Sequence, residues 1–256
     1  MTIKIVSYNI NGFRSSVEKG LLDWIEDHQF DVVCLQETKT SESKVPQMLI
    51  NAAGYQHVWH HAKRGGYSGV ATLSLNKPTR VHHGIGIEKY DIEGRVLRTD
   101  FASFTLLNCY FPNGGSGEVR QKFKMQFLDH FYSLTENLLE QGTSLIVVGD
   151  YNIAHSENDI NSPGRHQRTS GFLPEERNWM TSWLELGMVD SFRSRYPKSV
   201  EYTWWRFNVG AKEQNKGWRL DYQSVSDDLA DKIVDVKHVK EIGFSDHCPV
   251  VLELDI

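Results

Sequence analysis

The chain has no apolar run approaching the ~20 residues that a membrane-spanning helix requires, which excludes a helical anchor from the sequence pattern. A strand-like segment begins within three residues of Met1, leaving no room for a secretory signal peptide. Cysteine is scarce. Cys34, Cys109 and Cys248 are odd in number, far apart and set among apolar neighbours. That pattern predicts buried free thiols in a reducing compartment and argues against disulfides or a cysteine metal site. No histidine–cysteine grouping has zinc spacing, since His60-His61 and His82-His83 are merely adjacent, and no Gly-Lys-Ser/Thr phosphate loop occurs. A positive surplus is missing too: 28 Lys and Arg face 33 Asp and Glu, a net charge of -5. Nucleic-acid-binding domains are usually basic, yet this shortage excludes nothing. Basic residues concentrate at 63–64, 120–124, 165–168, 193–195 and 206–219, and a carboxylate-rich catalytic crater would lower the total by itself. There is no short-period repeat and no linker, so a single domain over 1–256 is expected.

What the chain does have is core-forming material, with 39% hydrophobic residues and seven Trp among 256 residues, and a recurring way of ending its apolar runs. Leu145-Ile146-Val147-Val148 reads as a strand buried on both faces; Gly149 then breaks the run before Asp150 and Asn152. Ile3-Lys4-Ile5-Val6 ends at Asn9 and Asn11, Asp31 to Leu35 ends at Glu37 and Lys39, and Leu106-Leu107 leads to Tyr110 and Asn113. Any one of these endings could be an ordinary turn. Four of them predict a polar crater at the ends of strands, where a layered α/β protein presents functional groups.

In order, the chain predicts a strand, an amphipathic helix over 17–28 and a strand over 31–35, hence a βαβ opening. A helix over 42–53 and a short strand at 57–59 follow, then a Gly-rich loop at 63–69 and a strand at 70–74. Segments 81–87, 96–101 and 104–108 read as antiparallel strands, and 123–139 as a long helix. Residues 153–175 form a long loop of little apolar content, of a length that is usually functional or disordered. Pro174 starts a helix to about Leu186, and 188–192, 202–204, 220–225 and 250–254 close the chain as strands or turns. Both halves share a plan of paired strands with polar ends, which two face-to-face sheets with helices outside would satisfy.

Asp150 or Asn152 alone would read as a turn cap, and Glu37 alone as a surface residue. Converging carboxylate and amide oxygens suit Mg²⁺, a hard cation that prefers oxygen ligands and keeps waters for phosphates. Phe244-Ser245-Asp246-His247-Cys248-Pro249 places a charged pair just before the last apolar strand. Asp221 lies inside the strand-like stretch Trp218-Arg219-Leu220-Asp221-Tyr222, where a charge needs a partner. An Asp that orients a His is a recurrent device, and Asp221 with His247 is the candidate pair.

Asn9-Ile10-Asn11-Gly12, Leu35-Gln36-Glu37-Thr38-Lys39, Tyr67-Ser68-Gly69-Val70, Gly94-Arg95, Tyr110-Phe111-Pro112-Asn113, Gly149 to His155, Gly171 to Arg177, Trp218 to Tyr222 and Ser245 to Pro249 occur in this order. Together they resemble the exonuclease III / apurinic-apyrimidinic (AP) endonuclease family of the exonuclease–endonuclease–phosphatase superfamily, nearer the human-type branch and over essentially the whole chain. The resemblance implies a four-layered α/β sandwich of two packed mixed sheets flanked by helices. It implies Mg²⁺-dependent phosphodiester hydrolysis 5′ to abasic sites, with Mn²⁺ as a substitute, and 3′-phosphodiesterase, 3′-phosphatase and 3′→5′ exonuclease activity. By the same resemblance Glu37, Asn9 and Asp246 hold the metal with Asp150 and Asn152 adjoining, and Asp150 prepares the attacking water. His247, polarised by Asp221, binds the scissile phosphate, and Tyr110 contacts it or assists the leaving group. Asn11, Arg14, Lys39, Gly66, Tyr67, Arg95, Asn113, Arg120 and Gly171 contact the substrate, while Trp204, Trp218 and Leu220 line a pocket for the extruded sugar. The implied partner is double-stranded DNA with abasic or 3′-blocked lesions, met by a monomer in the bacterial cytoplasm and nucleoid. The alternatives are a superfamily phosphatase on a small phosphoester or a non-catalytic nucleic-acid-binding member.

Three departures from the human-type branch fall in DNA-gripping loops, one of them Ser162, His166 and Thr169 in place of an Asn-rich stretch of the loop after Asp150. Ser116 stands where an Arg crosses the duplex, and Asn208 where a Met wedge enters it. The expected consequence is a looser hold on nicked product.

Overall fold

The computed structural model describes residues 2–45, 54–207 and 210–256. Two six-stranded sheets organise them. The first has the order β13-β14-β1-β2-β4-β3, from β1 (Thr2–Asn9), β2 (Val32–Gln36), β3 (Gln56–His60), β4 (Val70–Ser74), β13 (Ile233–His238) and β14 (Val250–Asp255). The second has the order β5-β6-β7-β8-β12-β9, from β5 (Arg80–His83), β6 (Val96–Asp100), β7 (Thr105–Tyr110), β8 (Leu145–Asp150), β9 (Met188–Asp190) and β12 (Asp221–Ser226). A small ribbon of β10 (Trp204–Trp205) and β11 (Gly217–Trp218) stands apart. Each sheet has one parallel pair at its centre, β1 with β2 and β7 with β8, while the other pairings are antiparallel. The two halves thus repeat one plan, as the strand endings predicted.

Three apolar layers follow from strands that are hydrophobic on both faces. Ile5, Cys34, Leu106, Ile146, Val148, Val225 and Leu252 fill the space between the sheets. Outside the first sheet, Tyr8, Val33 and Leu73 pack against α1 (Phe13–Glu18) and α2 (Leu21–His28). Outside the second, Leu107, Val147 and Tyr151 meet Phe127 and Phe131 of α4 (Glu118–Glu140) and Met180 and Trp183 of α5 (Pro174–Glu185). The remaining short helices are α3 (Glu88–Asp91), α6 (Ser191–Arg195) and α7 (Asp227–Ala230). Polar bridges also cross the sheet interface. Gln36 Nε2 donates to Asn108 Oδ1 at 2.8 Å, and Asn108 Nδ2 donates to the Ala71 carbonyl at 2.7 Å. Such buried amides have satisfactory partners in few arrangements, so they fix how one sheet sits on the other beside the crater.

Four local expectations change. The helix expected over 17–28 is two helices broken at Gly20, which has φ +100°. Of the helix expected over 42–53, residues 42–44 form a 3-10 turn, and 46–53 lie outside the described residues. Gly149 does not end β8 but lies within it, because a Cβ there would come 1.8 Å from the Cys109 carbonyl oxygen of β7. The loop after β8 is less polar in its packing than in its composition, since Ile153, Ala154, Ile160 and Phe172 are buried. Cys34, Cys109 and Cys248 are free and buried, as expected. Among the described residues no helix is long and apolar enough to cross a membrane.

Candidate active site

The crater lies where the four parallel strands end. Asn9 is the last residue of β1, Glu37 follows β2, Tyr110 ends β7 and Asp150 ends β8. Antiparallel pairing sets Asp221, the first residue of β12, opposite Asp150, and the turn before β14 brings in Asp246 and His247. Asn11, Glu37, Lys39, Ser68 and Asn152 have φ between 47° and 53°. Non-glycine residues rarely adopt this left-handed conformation, which collects at functional sites where the surroundings over-determine it.

Asn9 joins the two halves. Its amide nitrogen donates to Glu37 Oε1 at 3.0 Å and to Asp150 Oδ2 at 2.9 Å. Asp150 also accepts from the Asn152 backbone N–H at 2.8 Å, and Asn152 Oδ1 accepts from Asn113 Nδ2 at 2.9 Å. Across the crater, Asp221 Oδ2 meets His247 Nδ1 at 2.8 Å, and His247 Nε2 lies 3.9 Å from Asp150 Oδ2. Asp246 accepts from Asn11 Nδ2 at 2.9 Å and from Trp204 Nε1 at 3.0 Å. The structure brings Asp221 and His247, the candidate pair, into contact.

The electrostatics divide the carboxylates. Burial alone would raise Glu37 and Asp246, yet Lys39 and Asn9 hold the first below its ordinary range, and His247 with Trp204 and Asn11 hold the second below. Asp150 is pushed up to about 7, by burial first and then by the Asp221 and Glu37 charges, against the pull of His247. Burial would lower His247, but Asp221, then Asp150 and Asp246, raise it to about 10. Burial first, then Glu37 and Asp150, holds the Tyr110 phenol well above its usual range. The crater therefore concentrates negative charge, which Lys39 and His247 oppose from within and Arg95 and Lys124 from beside it.

That concentration fits a divalent cation. Carboxylate oxygens of Glu37 and Asp150 and a ring nitrogen of His247 all lie within 4.8 Å of one another; the two carboxylates are the ligands, since His247, charged beside Asp221, has no free lone pair. The carboxylates and the nearby amides supply hard oxygens, and no thiol intrudes. Asp246 is tied to this group through Asn11 and Trp204, whereas Asn9 directs its amide nitrogen, not its oxygen, at the carboxylates.

Around the crater, Glu37, Tyr110, Asn152, Trp204, Trp218, Leu220 and His247 help line a cavity of about 380 Å³. Trp204 and Trp218 stand edge to face at 6.2 Å. Gly171 forms part of its floor, and a Cβ at its φ of +96° would come 3.1 Å from the Trp218 ring. Of the residues expected along DNA, Arg14 and Gly66 are exposed. Arg95 is only 2% exposed and donates to the Tyr67 hydroxyl at 2.8 Å and the Tyr110 carbonyl at 3.1 Å. Arg120 donates to the same hydroxyl at 3.0 Å and to Glu93 at 2.8 Å. Lys39 lies 3.0 Å from Glu37 and donates to Asn11.

Three supports were not foreseen. Thr203 donates its hydroxyl to Asp221 Oδ2 at 2.6 Å and accepts from the Leu220 and Asp221 N–H groups. Fully buried Lys124 donates to the Asn152 carbonyl at 2.7 Å and to Glu176 at 2.6 Å. Arg219, 1% exposed between Trp218 and Leu220, binds Asp159 at 2.7 Å and Asp190 at 2.6 Å. A guanidinium inside an apolar run was the one readable signal among them.

The profile of the Endonuclease/Exonuclease/phosphatase family matches residues 6–247. An exodeoxyribonuclease of Bacillus subtilis (strain 168) is 37% identical over 99% of this chain and 100% of its own. The DNA repair nuclease APEX1 of Danio rerio is 38% identical over 99% of this chain and 83% of its own. The solved structure of a 3′ phosphatase (NExo) from Neisseria bound to product DNA hairpin superposes with a TM-score of 0.93 at 27% identity, covering 99% of this chain and 100% of that one.

Proposed function

Because the chain belongs to the Endonuclease/Exonuclease/phosphatase family, we propose that it is a Mg²⁺-dependent DNA repair nuclease that cleaves the phosphodiester 5′ to abasic sites and clears 3′-blocking groups. Similarity to an exodeoxyribonuclease, a DNA repair nuclease and a 3′ phosphatase supports a nuclease of this class. The observation that carries the chemistry is the facing pair of Asp150 Oδ2 and His247 Nε2, 3.9 Å apart, with Asp221 behind the imidazole at 2.8 Å. A phosphate seated over this pair meets a cation in His247 and, in Asp150, a hydrogen-bond acceptor for water.

Glu37 and Asp150, aided by Asp246, would hold the Mg²⁺; a bound ion supplies charge neutralisation at the phosphoryl oxygens and at the leaving oxygen. Asp150, fixed by Asn9 and Asn152, accepts a proton from the attacking water and aims its lone pair at phosphorus. His247 keeps its Nε2 proton because Asp221 faces Nδ1, and presents that N–H to a non-bridging oxygen. Tyr110, held protonated, donates toward the phosphate or the departing 3′-oxygen. An abasic nucleotide is cheap to extrude since it has no pairing to lose, and Trp204, Trp218 and Leu220 offer it an apolar wall. The fold has this one recognised catalytic unit, which we assign to the whole of 1–256 as a single domain acting as a monomer in the cytoplasm.

The test is incubation with three duplexes, bearing an internal abasic site, a 3′-phosphate or an ordinary 3′-hydroxyl end, in Mg²⁺ or in EDTA. The expected result is Mg²⁺-dependent incision immediately 5′ to the abasic site and release of the 3′-phosphate. Inertness on all three, with hydrolysis of a soluble phosphomonoester instead, would make it a small-molecule phosphatase.

A further inference from the structure

The rim beyond β10 has no part in the chemistry described so far, yet it carries the most exposed aromatic ring among the described residues. Phe207, two positions after Trp205, is 86% exposed. Val119 is comparably exposed at 88% but has no π face, and Tyr196, at 38%, spends its hydroxyl on Asp235. Phe207 makes no ring contact among the described residues, so it forgoes the stabilisation that burying a phenyl group brings. Beside it is a cavity of about 400 Å³ bounded by Trp205, Phe207, Lys212, Glu213 and Asp246. Asp246 also lines the catalytic cavity, so the two spaces adjoin. Arg206, next to the ring, is exposed, and the Lys212 ammonium lies 5.2 Å from the centre of the Trp205 ring. Glu213 and Asp246 are the acids that oppose them there. An exposed ring beside a cation is how single bases are stacked while neighbouring phosphates are gripped.

We propose that Phe207 stacks on a nucleobase of the duplex beside the scissile phosphate, with Arg206 on an adjoining backbone phosphate. The proposal rests on the nuclease reading above. It puts the apolar contact one residue before Asn208, which lies outside the described residues, and so supplies from a neighbouring position the wedge that the sequence comparison left missing.

The experiment uses an abasic duplex with 2-aminopurine placed, in separate molecules, at each base flanking the lesion and opposite it. Binding is followed in EDTA by fluorescence, and KM by cleavage in Mg²⁺, for the unmodified protein and for Phe207→Ala, Phe207→Leu and Phe207→Trp. Stacking predicts a quench at one position with the unmodified protein and with Phe207→Trp. The quench should be lost, and KM raised about tenfold, in both Phe207→Ala and Phe207→Leu. Thermal midpoints should stay together, since the ring is 86% exposed. Retention of quench and KM in Phe207→Leu or Phe207→Ala overturns the proposal. A protein that cleaves no abasic duplex overturns the nuclease reading instead.

Discussion

Asp221 Oδ2 and His247 Nδ1 lie 2.8 Å apart, both side chains almost fully buried, and the Thr203 hydroxyl donates to the same carboxylate oxygen at 2.6 Å. Three polar groups are thereby committed to one geometry in which Nδ1–H donates to Asp221, and the raised pKa of the ring keeps a second proton on Nε2. Burial lowers the His247 pKa, and Asp221 is the largest of the opposing charges that raise it, ahead of Asp150 and Asp246; removing it lowers the pKa.

Asp221→Asn should therefore lower kcat by about a hundredfold or more, the scale of losing a charge-stabilising donor. The alkaline limb of the rate profile should also move to lower pH, because His247 would lose its proton earlier. A kcat profile from about pH 6 to about pH 10 reads this directly. An unchanged profile would mean that His247 acts without Asp221.

Glu37→Gln keeps the side chain's shape but removes an anion beside Lys39 and Asn9. Cleavage at low Mg²⁺ should fall by orders of magnitude and recover partly as Mg²⁺ is raised, since the loss is of ion affinity. Near-normal activity at sub-millimolar Mg²⁺ would remove Glu37 from the ion's ligands.

The buried Asp159 sits between Arg219 and Arg193. Burial would raise its pKa, but the guanidinium of Arg219, then Arg193, holds it far below the ordinary carboxylate range. A folded value below the unfolded one, roughly 3.9, means stability that is present above that pH and lost as pH falls through the folded value. Asp159→Asn should cost about 3 kcal/mol near neutral pH, because it breaks a buried ion pair and leaves Asp190 as the one carboxylate facing the buried Arg219 guanidinium. It should also flatten the decline in stability between about pH 5 and about pH 3. Urea unfolding across that range measures both effects, and an equally steep acid decline in the variant would contradict the assignment.

Much of the crater was legible because it sits at strand ends. In Val147-Val148-Gly149-Asp150 the apolar run marks the buried strand, and the first carboxylate marks its mouth. The same logic located Asn9, Glu37 and Tyr110, and the placement of Asp221 in an apolar stretch led to His247. Other features depend on tertiary context. Lys124 lies in a helix of apolar and polar residues, and nothing local says that it points inward to Glu176. The strand Ile233–His238 was not anticipated, since at the edge of its sheet it alternates buried Ile233 and Val236 with exposed Val234 and Lys237. The break at Gly20 escaped because the hydrophobic period runs on across it while the backbone does not.

Whether Asp150 serves chemistry or merely shapes the crater is decided by following binding and cleavage of one abasic duplex with Asp150→Asn. The substitution keeps the side chain's size but removes a negative charge beside the phosphate and the group that accepts the water's proton. The expected result is single-turnover cleavage slower by about three orders of magnitude or more, with a dissociation constant equal to or lower than that of the unmodified protein. A gel-shift titration in which affinity disappears in step with activity would contradict it and make Asp150 a structural residue.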